Sequence, residues 1–282
     1  MRWVQVRIPV SLRGGWIGPW KRQASLLSSL LTVYIQVCFR QTVVGMSVQE
    51  RLNTVRAKVE EAARNAGRNP DEVRIMAVSK FIPAEQVLAA VEAGQRLFGE
   101  NRWQGTPEKI EEVAERAGNV AGEIEWHFIG RIQSNKARRI ANLYHMMHGI
   151  DSVKLVEKLG RIGDDEENDI HGLVQVNVTG TLTQGGIAPQ KVEEIIAKAA
   201  EWDRLKIRGL MAIAPLTDDE YLLRRAFERV RIEAERIDEN QYPDTSMEIL
   251  SMGMSGDFEY AVQEGSTLVR IGTAIFGPRE EG

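Results

Sequence analysis

Between residues 74 and 272 the chain alternates eight short apolar runs with amphipathic helical stretches, and this alternation constrains the fold more than any other feature. The runs lie at 74–80, 96–100, 125–130, 144–150, 171–178, 206–213, 247–252 and 267–272. Helical patterns fill 83–93, 107–117, 135–143, 153–159, 189–202, 218–238 and 258–263, several of them opened by proline or a short polar residue, as first-turn chemistry favours. Strands separated by helices pair in parallel, because a parallel connection needs a crossover. Eight such units match a closed (β/α)8 barrel better than an open sheet. No strand-to-helix turn carries G-x-G-x-x-G, since Gly94, Gly99 and Gly105 have the wrong spacing. A further helix at 47–66 precedes the first strand, and a short tail follows the eighth. That leading helix is expected to cover the surface where a final helix is missing.

Composition narrows the class. With 43% hydrophobic and 27% charged residues in 282, the chain is neither disordered, collagenous nor membrane-spanning as a whole. One cysteine, Cys38, excludes an internal disulfide framework and a cysteine-based zinc cluster, and it fits a reducing compartment, with the cytoplasm as the expectation. The net charge of −4 hides an asymmetry: residues 1–45 hold six basic side chains and no acid, leaving 30 basic against 40 acidic in the remainder. An acidic body has no general drive toward nucleic acid. In the basic segment the apolar stretch 26–39 is shorter than the roughly 20 residues a spanning helix needs. A secretory signal or a mitochondrial-type presequence would fit parts of its composition. The favoured reading is that Met46 is the true start and that residues 1–45 are disordered or a misassigned start. Ser47 and Glu50 then form an S-x-x-E capping box where the ordered domain, 46–282, begins.

In such a barrel chemistry sits at the C-terminal strand ends. Lys80 closes the first strand. Met76, Val78 and Lys80 share a face, so an inward face would raise the amine at the barrel mouth above an apolar layer, where desolvation favours the neutral, nucleophilic form. The loops after strands 7 and 8 are the recurrent phosphate site of this fold. There Gly253, Ser255 and Gly256 precede a helix, and Gly272 and Thr273 follow the last strand. An amine opposite a phosphate cradle describes a site for a phosphorylated aldehyde. Arg270, if inward like Leu268, would lie beside a ring nitrogen held between the two and keep it unprotonated, which weakens carbanion stabilisation.

These residues resemble the single-domain, alanine-racemase-like pyridoxal phosphate homeostasis proteins, also called proline synthase co-transcribed proteins. The stretches that carry the likeness are Ala77-Val78-Ser79-Lys80, Phe98-Gly99-Glu100-Asn101, Trp126-His127-Phe128-Ile129-Gly130, Gln133-Ser134-Asn135-Lys136, Gly209-Leu210-Met211-Ala212-Ile213, Ser251-Met252-Gly253-Met254-Ser255 and Val269-Arg270-Ile271-Gly272-Thr273. The resemblance implies a TIM barrel of the alanine racemase N-terminal domain type. It implies that Lys80 forms a Schiff base with pyridoxal phosphate, that Ser255, Gly272 and Thr273 hold the phosphate, that Arg270 faces the ring nitrogen, and that Asn101 and Met211 line the ring pocket. Lys136 matches a second lysine of the family that accepts the cofactor transiently. A monomeric carrier or buffer of the vitamin B6 pool is implied, with apo pyridoxal-phosphate enzymes as recipients and no catalytic turnover. The chain departs from the family at Arg102, Trp103, Gln104 and Gly105, where an aromatic residue and an acid are more usual.

Two other chemistries use the same parts: a racemase acting on small amino acids, and a phosphosugar aldolase or isomerase. His127 reads as a satisfied wall histidine rather than a catalytic base. His145, His148 and His171 lack ligand spacing, so no metal site is expected. Asp164, Asp165, Glu166 and Glu167 read as a solvated loop, and Arg131, Lys136, Arg138 and Arg139 as a basic cluster that either gathers phosphate ligands or is simply surface.

Overall fold

The computed structural model describes residues 45–181 and 184–278; the expectations for the basic segment fall on residues 1–44, outside that range. Strands β1 (Arg74–Val78), β2 (Leu97–Glu100), β3 (Glu125–Phe128), β4 (Met146–Ile150), β5 (Ile170–Val176), β6 (Leu205–Ala212), β7 (Thr245–Ser251) and β8 (Leu268–Ile271) form a closed parallel barrel in sequence order. Its seam pairs β8 with β1, placing Met76 beside Arg270 and Ala77 beside Ile271.

The surrounding helices are α1 (Val48–Asn65), α2 (Ala84–Glu92), α3 (Thr106–Ala117), α4 (Ala137–Leu143), α5 (Val153–Glu166), α6 (Val192–Ala199), α7 (Glu220–Glu239), α8 (Phe258–Gln263) and α9 (Thr273–Phe276). Ser47 caps α1 in the expected reciprocal box: its side chain accepts from the Glu50 N–H and the Glu50 carboxylate accepts from the Ser47 N–H at 2.7 Å. The stripe of Leu52, Val55, Val59, Ala62 and Ala63 is buried, and α1 packs on α8 and α9. The leading helix thus completes the outer ring, as expected.

Strand alternation separates two apolar layers. Met76, Leu97 and Leu268 fill the barrel interior with Ile129 and Ile249, while their neighbours Ala77, Phe98 and Val269 pack outward under the helices. One phase slip matters for the site. Gly209 in β6 adopts φ +147, and a β-carbon there would lie 1.9 Å from the Ile249 carbonyl oxygen. The β6–β7 register shifts at this point, as a bulge does. The slip turns Leu210 and Ala212 into the outer core and leaves Met211 buried outside that cluster.

Four expectations need correction. β1 stops at Val78, so Lys80 sits in the following turn, where the Ile82 N–H reaches the Ser79 carbonyl at 2.9 Å. Helix α5 does not end at 159 but continues to Glu166, because Leu155, Val156, Leu159 and Ile162 sustain one buried stripe. The acidic run is therefore its last turn rather than a loop. Arg138 binds Asp165 at 2.6 Å and also Glu166, which takes it out of the proposed basic cluster.

Candidate functional site at the barrel mouth

The turn that carries Lys80 is held from below. Ser79 is fully buried; its N–H donates to the Gly99 carbonyl at 3.0 Å and its hydroxyl to Glu100 Oε1 at 2.7 Å. Glu100 is itself buried, and a buried carboxylate needs a cation. Lys109 on α3 supplies it, and the same ammonium donates to the Ser79 carbonyl at 2.9 Å and the Ile82 carbonyl at 3.3 Å. Lys80 is half-buried in the turn so fixed. Phe81, next to it, has φ +64, a conformation a bulky residue keeps only where its surroundings impose it. The Arg102 guanidinium lies over its ring, 5.0 Å from the centroid.

The seam sets the opposite wall. A β-carbon on Gly272 would lie 3.4 Å from the Val78 carbonyl oxygen, so the turn after β8 runs beside the end of β1. Ser255, after β7, accepts from the Ala274 N–H at 3.4 Å, tying the seventh and eighth loops together. Lys80, Ser255, Gly272 and Thr273 therefore come from three adjacent loops on one end of the barrel.

Beneath them lies Arg270, only 5% exposed. Its Nη1 donates to the Ser251 hydroxyl at 2.7 Å and to the Ser251 carbonyl, and its Nη2 to the Ala212 carbonyl at 2.7 Å. Burial lowers its pKa to about 10, opposed by Asp257, so it remains a cation at neutral pH. Ser251 Oγ lies 3.0 Å from His148 Nδ1, and His148 Nε2 lies 3.0 Å from His127 Nδ1. Burial lowers both histidines, His148 well below the usual range. At the barrel foot His127 Nε2 lies 3.6 Å from Glu125, which also accepts from Arg74 at 2.7 Å.

Asn101 and Lys136 meet in a cavity of about 190 Å³ that Trp103, Arg131 and Gln133 also line. A β-carbon on Gly130 would lie 2.1 Å from the Asn101 carbonyl oxygen, so only glycine lets these two loops approach. Asn101 Oδ1 is buried without a protein partner. Among the described residues, no three His, Cys, Asp or Glu side chains gather as metal ligands, and no helix is long and apolar enough to cross a membrane.

The family model of the alanine racemase N-terminal domain matches residues 51–280. The pyridoxal phosphate homeostasis protein of Escherichia coli K12 is 41% identical over 235 residues, covering 83% of this chain and 97% of that protein. The chain belongs to the pyridoxal phosphate homeostasis protein family. Its Mycobacterium leprae member is 39% identical over 241 residues, 80% of this chain and 91% of that one. PipY of Synechococcus elongatus PCC7942, solved with PLP bound, is 33% identical with a TM-score of 0.71, covering 82% of this chain and all of that one. Alanine racemase of Clostridium difficile, 14% identical with a TM-score of 0.61, shares the fold over 83% of this chain and 57% of its own.

Of the residues the family resemblance singles out, the structure brings Lys80, Ser255, Gly272 and Thr273 to one rim, with Arg270 and Met211 buried and Asn101 and Lys136 both lining a side cavity. His127 is the satisfied wall histidine expected, lying inward between the outward Trp126 and Phe128. Lys109 and the His148–Ser251 pair escaped the reading of the sequence. For Lys109 a signal existed: Glu100 ends an apolar strand and so required a cation. For His148 the signal was its place in the apolar run Met146-Met147-His148-Gly149-Ile150.

Proposed function

We propose that the protein binds pyridoxal phosphate at the barrel mouth, linked to Lys80, and serves the vitamin B6 pool as a carrier or buffer rather than as an enzyme. The observation that carries this reading is the seam between β1 and β8, which sets the Lys80 turn beside Gly272 and above Arg270. That spacing suits an aldehyde at one end of a ring and a phosphate at the other. The backbone N–H and hydroxyl donors of the last two loops suit the polar edge of such a ligand. PipY, alike over most of its length, has been solved with PLP bound.

In the bound state the ligand supplies an electrophilic carbonyl and, in other settings, an electron sink. Lys80 would supply the amine that condenses with the aldehyde, a C=N bond replacing C=O with loss of one water. Ser255, Gly272 and Thr273 grip the phosphate. Arg270 presents an N–H, not an acid, to the ring nitrogen, which leaves that nitrogen unprotonated and the ring a poor electron sink. This favours holding over turnover. Apo pyridoxal-phosphate enzymes are the proposed recipients, and a monomer in the cytoplasm is the proposed form.

Intact mass after borohydride reduction in the presence of pyridoxal phosphate tests the reading. One reduced pyridoxyl phosphate on Lys80, absent in Lys80→Ala, is expected. An adduct confined to Lys136, or none, would overturn it, and turnover of L- or D-amino acids lost with Lys80→Ala would replace the carrier with an enzyme.

A further inference from the structure

The barrel interior carries a line of polar side chains that the cradle itself does not require. From mouth to foot it runs Arg270, Ser251, His148, His127, Glu125, with the two imidazoles buried at 0% and 2% exposure. Hydrogen-bond accounting fixes its direction. Glu125 is a carboxylate, held down to about 2 by the neighbouring His127 side chain and by Arg74 against the effect of burial, so it only accepts. The His127 nitrogen facing it, Nε2, must then carry the proton, and its Nδ1 is bare. His148 Nε2 must carry the proton that Nδ1 accepts at 3.0 Å, which leaves His148 Nδ1 bare in turn. The Ser251 hydroxyl donates there, at 3.0 Å, and its lone pair accepts from Arg270 at 2.7 Å. Ser251, His148 and His127 thus each give once and take once, between Arg270, which only donates, and Glu125, which only accepts. The foot link, 3.6 Å long, acts through charge rather than as a hydrogen bond.

The reverse direction fails at both ends. It would aim a bare His127 lone pair at the Glu125 carboxylate and, with the Ser251 oxygen accepting from both Arg270 and His148, leave the Ser251 hydroxyl proton no acceptor in the line. The charged and titratable groups bearing on His127 are Glu125, Arg74 and His145, and those bearing on His148 are His127 and Arg270. Of the groups bearing on His127, Glu125 is the one that faces a ring nitrogen as an acceptor; Arg74 donates to that same carboxylate, and His145 Nδ1 accepts from the Trp126 N–H.

We propose that this line is a one-way relay in which His148 and His127 are positioning residues, fixed by Glu125, that set the Ser251 lone pair on Arg270 and so lock the guanidinium for the ring nitrogen of bound pyridoxal phosphate. The locking role rests on the proposed function; the tautomers do not. Nitrogen-15 NMR of the ligand-free protein should show both imidazoles neutral with the proton on Nε2. Glu125→Gln, whose amide can donate as well as accept, should mix the tautomers of both rings although His148 does not touch residue 125. Leaving a buried partner unmatched should weaken pyridoxal phosphate binding about threefold in Glu125→Gln and about tenfold in His148→Asn, read by fluorescence titration. Nδ1–H tautomers in the wild type, or tautomers indifferent to Glu125→Gln, would overturn the relay. Unchanged affinity in both variants, with the Lys80 adduct still formed, would overturn the positioning role alone. Loss of that adduct from the wild type would instead sink the proposed function and leave the NMR result to decide the relay.

Discussion

Lys109 and Glu100 form an ion pair under the very turn that carries Lys80, and the same ammonium binds two carbonyls of that turn. Both partners are shielded, Lys109 at 13% and Glu100 at 2% side-chain exposure. Removing one partner strands a charge, which costs more than the pair contributes. Lys109→Ala should lower stability by about 3 kcal/mol, measured by urea unfolding, and Glu100→Gln by less. Equal losses in the two would show that packing, not charge, holds the turn.

The buried histidines make stability depend on pH. Burial lowers the pKa of His127 and His148, and in lesser degree of burial that of His171, so the fold keeps them neutral. Below about pH 6.5 the unfolded chain takes up protons that the folded chain refuses, so stability is complete above that value and lost as pH falls. The slope should reach about 1.4 kcal/mol per pH unit for each histidine. Glu125, with its depressed pKa, adds a loss of the same sign, but only below the ordinary carboxylate range, so the span from about pH 6.5 to about pH 5 isolates the imidazoles. Urea midpoints across that span should fall more gently in His148→Asn; parallel curves would contradict the assignment.

Gly130→Ala tests a close approach. The added methyl would meet the Asn101 backbone at 2.1 to 2.9 Å, and backbone cannot rotate away as a side chain can. A loss of about 2 kcal/mol is expected, together with displaced amide resonances around Asn101. Resonances that stay in place would mean the loops yield without strain.

Ser47→Ala removes one half of the α1 capping box. It should cost about 1 kcal/mol, and Ser47→Asp should restore most of it, read as shifts in thermal midpoint. No change on either substitution would mean that packing on α8 and α9 alone fixes the start of α1.

All eight strands were legible because each pairs an apolar run with a helical stretch, and alternation puts Arg270 on one face with Leu268, although it does not say which face turns inward. What alternation cannot show is a change of phase: Gly209 shifts β6 by one residue, and nothing local marks that glycine as a bulge rather than a weak point in a strand. The length of α5 was missed because its acidic end looks like loop composition, whereas Arg138 on the preceding helix neutralises it. Glu100 at the end of an apolar strand called for a cation, but which one was not legible. A lysine on an amphipathic helix carries no sign that it points inward to a carboxylate nine residues earlier. His148 and Ser251, more than a hundred positions apart, meet only across the closed interior.

The first and last strands share an edge, so the Lys80 turn and the turn at Gly272 become neighbours only once β8 has been made. A nascent polypeptide still lacking β8 has an open cylinder with half a grip and no guanidinium beneath it. Any molecule clasped between those two turns therefore acts as a clip across the joint of the fold, resisting its unzipping there first, and its capture reports that the cylinder has closed.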